Sequence, residues 1–216
     1  MDLVNKLVSY LPEIRGPEEK HVHFNTKLKW TLIILTSFYV LSIVPLFGLG
    51  QNALSQFESI SILLGASFGS ILSLGIGPIV TASIVLQLLS GSGILKFDTT
   101  TSEGRGHFQG VQKLTALGFI LFEAFVFIYL GGLAPSEALS PGLFNYLQAF
   151  MVVQLCIGGI LVLFMDEVLN KWGFGSGTSL FIAAGVASQL FVRIFSPLTR
   201  GGTFALGNAG ESPVGQ

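Results

Sequence analysis

Two long runs without a charged side chain constrain this sequence more than any other feature. Trp30 to Leu49 is the first, and Ser59 to Leu95 is the second. A helix needs about 20 mostly apolar residues to cross the hydrocarbon core of a bilayer. Further apolar runs cover Leu114 to Leu133, where Glu123 is the single charge, then Leu143 to Met165 and Phe174 to Val192. Of 216 residues, 50% are hydrophobic and only 11% charged, whereas a soluble domain carries about 25% charge. Too few polar side chains are left to clothe a surface in water, which excludes a soluble globular enzyme. A disordered chain needs the opposite composition. The net charge of −1 offers no basic excess to hold nucleic acid. The expected class is an all-α polytopic membrane protein with five transmembrane helices.

Basic residues orient the spans. Lys6, Arg15, Lys20, Lys27 and Lys29 precede the first. Lys96, Arg105 and Lys113 lie between the second and third, and Lys171 between the fourth and fifth. Nine of the 11 basic residues therefore fall on one side, which predicts a cytoplasmic amino terminus and an external tail. The boundaries expected are a cytoplasmic segment at 1–29, a membrane domain at 30–195 and an external tail at 196–216. Within the domain, spans are expected at 30–49, 76–95, 110–133, 143–167 and 174–195. Leu3, Val4, Leu7, Val8 and Leu11 repeat at helical spacing up to Pro12, as in an amphipathic helix lying in the interface. No cleavable signal is visible at the start.

The second run is too long for one helix. Gly75, Gly77 and Pro78 break it, and proline is tolerated in the first turn of the helix that restarts. Irregular backbone at membrane depth survives only against protein or a water-filled cavity, so anything conducted passes near Gly75 to Pro78. Composition alone leaves a purely structural re-entrant loop, or a kinked helix, equally open.

Little here could perform catalysis. His21 and His23 beside Glu19 lack the further ligands of a metal site, and His107 has no nucleophile nearby. Cys156, the only cysteine, lies mid-span, where a thiol behaves as a small hydrophobe. No catalytic, metal or cofactor site is expected. Glu123 costs roughly 2.5–3.5 kcal/mol at the bilayer centre and reads as a buried hydrogen-bonding or packing group. Thr81, Gln87, Gln112, Gln154 and Gln189 should bond to neighbouring helices, at about 1 kcal/mol each. Asp166, Glu167 and Lys171 read as an interfacial charge group closing the fourth span. Gly65 with Gly69, Gly158 with Gly159, and Ala183 to Gly185 read as close-packing surfaces.

Five stretches carry a family resemblance: "KLKWT" at the first span, "LGIGPIVTASIVLQLLSGSGI" around the break, "FQGVQKL" at the third span, "MDEV" closing the fourth and "GFGSGTSLFIAAGV" opening the fifth. In this order they resemble SecY, the large subunit of the protein-translocation channel, in its archaeal and eukaryotic branch. The resemblance implies one half of an inverted-repeat channel, whose second element splits into a plug half-helix and a pore-lining half-helix. It places the plug at 52–72, with Asn52, Phe57, Ile60, Leu64, Phe68 and Leu72. Pore-ring positions fall on Ile76, Val80, Thr178 and Ile182, with a threonine at 178 where an aliphatic residue is expected. A ring of apolar side chains gates by dewetting. The polar cluster of the lateral gate matches Thr81 and Gln112. Implied partners are a SecE-type clamp subunit, a small third translocon subunit, a ribosome or other motor, nascent signal sequences and a carboxy-terminal half. Implied activity is polypeptide secretion and membrane insertion, without enzymatic chemistry. The rivals are a half-length insertase or assembly factor, and half of a secondary transporter with a solute site at the break.

Overall fold

Helix ends in this chain fall where backbone chemistry sets them, beyond or short of the apolar runs. The computed structural model describes residues 11–17, 22–49, 69–95, 101–130, 132–135 and 140–195. The helices among them are α1 (Phe24–Ile43), α2 (Gly77–Gly91), α3 (Ser102–Tyr129), α4 (Pro141–Trp172) and α5 (Gly177–Phe195). Helix α1 takes in Lys27 and Lys29 and stops before Val44, which adopts φ −70° and ψ 112°. Val44 precedes Pro45, and proline clashes with a helical residue before it. Helix α2 opens with Pro78 in its first turn and has 15 residues, about 22 Å at 1.5 Å per residue. Helix α3 begins after Thr101, whose Oγ1 accepts the Gly104 N–H at 3.1 Å, capping one of the free amides of the first turn. Helix α4 runs for 32 residues, about 48 Å, so its last turns extend past a hydrocarbon core of about 30 Å.

Helices α1, α3 and α4 are each long and apolar enough to cross a membrane. Helix α4 is the hub, touching α1, α3 and α5, while α2 packs on α3 and α1 also meets α5. The buried positions of α3 are Ala116, Ile120, Ala124 and Ile128, a row at four-residue spacing. On its other side Leu121, Phe122, Phe125 and Tyr129 are exposed. A helix that is apolar all round belongs in lipid or in a protein core. In lipid, burial of apolar area no longer drives association, and close packing and hydrogen bonds take over. Gly159 illustrates the first, since a Cβ there would sit 2.8 Å from Ile120 Cγ2 of α3. Phe38 stacks on Phe181 at 4.5 Å between α1 and α5.

Among the described residues, two apolar clusters make up the core. One gathers Ile34, Phe38, Leu72, Ile76, Ile79, Ile120, Val162 and Phe181. The other holds Leu46, Leu74, Ala124, Ile128, Met151 and Leu155. The segment before α2 supplies Leu72 and Ile76 to the first and Leu74 to the second. Of the small-residue surfaces, Gly158 and Gly159 are buried, whereas Ala183 is exposed.

Candidate functional site

Residues 69–76 are non-helical and, apart from half-buried Ile71, wholly buried. Buried backbone must find partners or lose several kcal/mol per group, and here it finds them locally. Ser73 N–H donates to Ser70 C=O at 3.0 Å, and Gly75 N–H to Leu72 C=O at 2.8 Å. Ser73 Oγ accepts the Gly69 N–H at 2.9 Å and donates to Ser70 C=O at 2.5 Å. Ser70 Oγ accepts the Leu72 N–H at 3.2 Å. The serines of this stretch thus replace the missing helical bonds. Gly75 sits at φ +55°, where a residue with a side chain would be strained.

The segment is anchored on two sides. Pro45 and Ser70 form an isolated antiparallel bridge, flanked by Leu46 N–H to Gly69 C=O at 2.7 Å and Ile71 N–H to Val44 C=O at 3.0 Å. Gln154 of α4 fixes the chain just beyond, accepting the Phe47 N–H at 3.1 Å and donating to the Phe47 C=O at 3.2 Å. On the other side, a Cβ on Gly158 would collide with the Ile71 carbonyl oxygen. Only glycine lets this backbone lie against α4.

At the start of α2, Ile76 and Ile79 are buried in the first cluster, and Val80 packs against it half-buried. Thr81 Oγ1 donates to Gly77 C=O of its own helix at 2.9 Å. Gln112 of α3 donates to Ser83 Oγ at 2.5 Å, so among the described residues it is Ser83, not Thr81, that joins Gln112. No spacing rule singles out Ser83; its signal is a second hydroxyl in an otherwise apolar turn.

Across the core, Asp166 near the end of α4 holds the start of α5. Its Oδ1 accepts the Thr178 N–H at 2.7 Å and the Thr178 hydroxyl at 2.9 Å, while Oδ2 accepts from Asn170 Nδ2 at 2.9 Å. A carboxylate against free amides at a helix start satisfies them and complements the helix dipole. This explains a threonine at 178, whose hydroxyl is bound to α4. Ile182, one turn on, is 39% exposed, and Phe181 between them is fully buried. Of the residues assigned to the plug, Leu72 lies in the core. Asn52, Phe57, Ile60, Leu64 and Phe68 fall outside the described residues, as do the segment 1–10 and the tail 196–216.

Long apolar helices around a buried, hydrogen-bonded break in the chain define an all-helical, polytopic membrane protein. The SecY family model matches residues 70–213. The protein translocase subunit SecY of Methanothermobacter thermautotrophicus is 51% identical over 193 residues, covering 89% of this chain and 41% of that protein. Sec61 in a canine ribosome-channel complex from the endoplasmic reticulum is similar at a TM-score of 0.73 and 34% identity, over 88% of this chain and 42% of that one. A SecY structure concerned with how the plug domain stabilizes the closed state of the translocation channel is similar at 0.69 and 35% identity, over 88% and 41%. This chain belongs to the SecY family, and it spans about two fifths of the length of the relatives it matches.

Proposed function

We propose that this chain is the amino-terminal half of a protein-conducting channel subunit. It takes unfolded polypeptides outward across a cell membrane and releases apolar segments sideways into lipid. The observation that carries this reading is the buried break at 69–76, followed by a helix too short for a full crossing, with no charged residue anywhere from 69 to 91. A solute site would need converging polar or charged groups at such a break; an apolar constriction suits a pore that must seal against ions and still yield to a passing polypeptide.

In this reading the chain crosses the membrane five times, with a cytoplasmic amino terminus. Ile76, Val80 and Ile182 supply apolar ring side chains, and Thr178 holds the fourth ring position while its hydroxyl is tied to Asp166. Thr81 and Gln112 stand on one side of the lateral gate, with Ser83 bound to Gln112. Residues 52–68 form the plug, and Gly69 to Leu72 its fixed hinge, since that stretch is bonded to 44–46. The remaining half, a SecE-type clamp, a small third subunit and a ribosome or other motor complete the machine, which does no chemistry of its own.

The test is ionic conductance in planar bilayers with the complete channel. Deleting 52–68, leaving the hinge in place, should raise resting conductance at least several-fold. Conductance equal to that of the undeleted channel would remove the plug from the account.

A further inference from the structure

Residues 11–17 form no helix, and Pro12 and Pro17 both hold the chain in extended forms. This short strap crosses the seam where α3 and α4 lie side by side. From α3, Lys113 Nζ donates to the Pro12 C=O at 2.5 Å and to Glu167 Oε2 of α4 at 2.6 Å. From α4, Glu167 Oε1 accepts the Ile14 N–H at 2.9 Å. Lys171 Nζ donates to the Ile14 C=O at 2.5 Å and to Glu13 Oε1 at 2.7 Å. The Trp172 indole N–H donates to the Arg15 C=O at 3.0 Å.

Lys113 and Glu167 are deeply set, with side chains 13% and 15% exposed. Lys113 also lies over the Phe164 ring, 5.1 Å from its centroid, a cation–π contact that fixes its direction. The strap is read almost entirely through its backbone. Four of its five bonded groups are main-chain N–H or C=O, and the fifth, the Glu13 carboxylate, is 76% exposed, where an ion pair contributes little. The strap also touches two helices that pack side by side. Helix α3 lies against both α2 and α4, and the strap adds polar bonds at the edge of the α3–α4 contact.

We propose that Lys113, Glu167, Lys171 and Trp172 form a receptor site for an extended peptide segment, that Pro12–Arg15 of the same chain is its ligand, and that the bound strap clasps α3 to α4. The site recognises extended backbone, so it tolerates changes in the strap side chains. Occupancy limits how far the bonded ends of α3 and α4 separate.

Two measurements on the full chain in lipid nanodiscs test this. Amide exchange read residue by residue should show the Ile14 amide at least tenfold slower than in Glu167→Ala, with Val162 in α4 protected in both. Arg15→Ala should leave Ile14 as slow as in the unaltered chain. The second reading leaves the receptor intact. Spin labels at Gly118 of α3 and Ile157 of α4, both exposed and placed in a Cys156→Ala background, should give a broader distance distribution once residues 2–17 are deleted. Equal Ile14 exchange in unaltered chain and Glu167→Ala overturns the receptor. If Glu167→Ala instead unfolds α4, Lys171→Met takes its place, with the same two outcomes. An unchanged distance distribution in the deletion overturns the clasp.

Discussion

Single residues hold the break against α4 and the start of α5 against α4, and removing either contact gives a measurable loss. Gly158 faces the Ile71 carbonyl oxygen with no room for a Cβ. Gly158→Val should therefore lower unfolding stability in detergent by about 1–3 kcal/mol, the usual cost of overpacking. Gly118→Ala on the open side of α3, where nothing lies within 4 Å of an added Cβ, should cost nothing and raise stability slightly through helix propensity. Asp166→Ala removes the one oxygen that accepts both bonds from Thr178 at the start of α5 and should cost about 1–2 kcal/mol, on the scale of other lost caps. Thr178→Val removes only the hydroxyl bond and should cost less, a difference that thermal unfolding of the two variants resolves. The small pair Gly158 and Gly159 is legible in the sequence as a packing surface. That its neighbour is a bare carbonyl 87 residues earlier is not, because the contact depends on how the break folds. Asp166 reads from sequence as an interfacial charge; its grip on Thr178 exists only once the turn at Gly173 to Ser176 brings α5 back.

At the scale of elements, the break is the best-announced feature. Gly75, Gly77 and Pro78 each carry a backbone constraint visible in the residue type, and α2 duly opens at Gly77 with Pro78 in its first turn. Helix limits read from hydropathy are less sharp. The apolar stretch reads on to Leu49, but α1 ends at Ile43 ahead of Pro45, and an apolar tally does not register which φ and ψ a proline denies its neighbour. Charge misleads in the other direction, since Lys27 and Lys29 lie within α1. The serines at 70 and 73 look like generic small residues until their hydroxyls are seen replacing backbone bonds. Their role sets an asymmetry between two deletions. Removing 52–68 should leave the thermal stability of the helical core close to that of the unaltered chain. Extending the deletion to residue 72 takes away the bridge to Pro45 and the Leu72 core contact, and should lower the melting temperature clearly. Equal melting in both would mean that 69–72 contributes nothing to the core.

For the molecule as a whole, the charge-poor sequence conveys the membrane class and its order of motifs conveys the family, because both are written in contiguous residues. The apolar surface still exposed on α1 and α3, including Leu32, Val40, Leu121 and Phe122, is consistent with a body built to sit in lipid and against further helices. What contiguous residues cannot convey is the meeting of distant ones, such as Gln112 with Ser83 or the strap with the α3–α4 seam. The central claim is that the start of α2 and the start of α5 face a path taken by polypeptide. Photo-reactive side chains placed singly at positions 76, 80 and 182 of the complete channel, challenged with a stalled nascent secretory chain, test it most directly. Crosslinks to the nascent chain from all three positions are the predicted result. Crosslinks confined to exposed positions such as 121 and 122 on α3, with none from 76, 80 or 182, would contradict it.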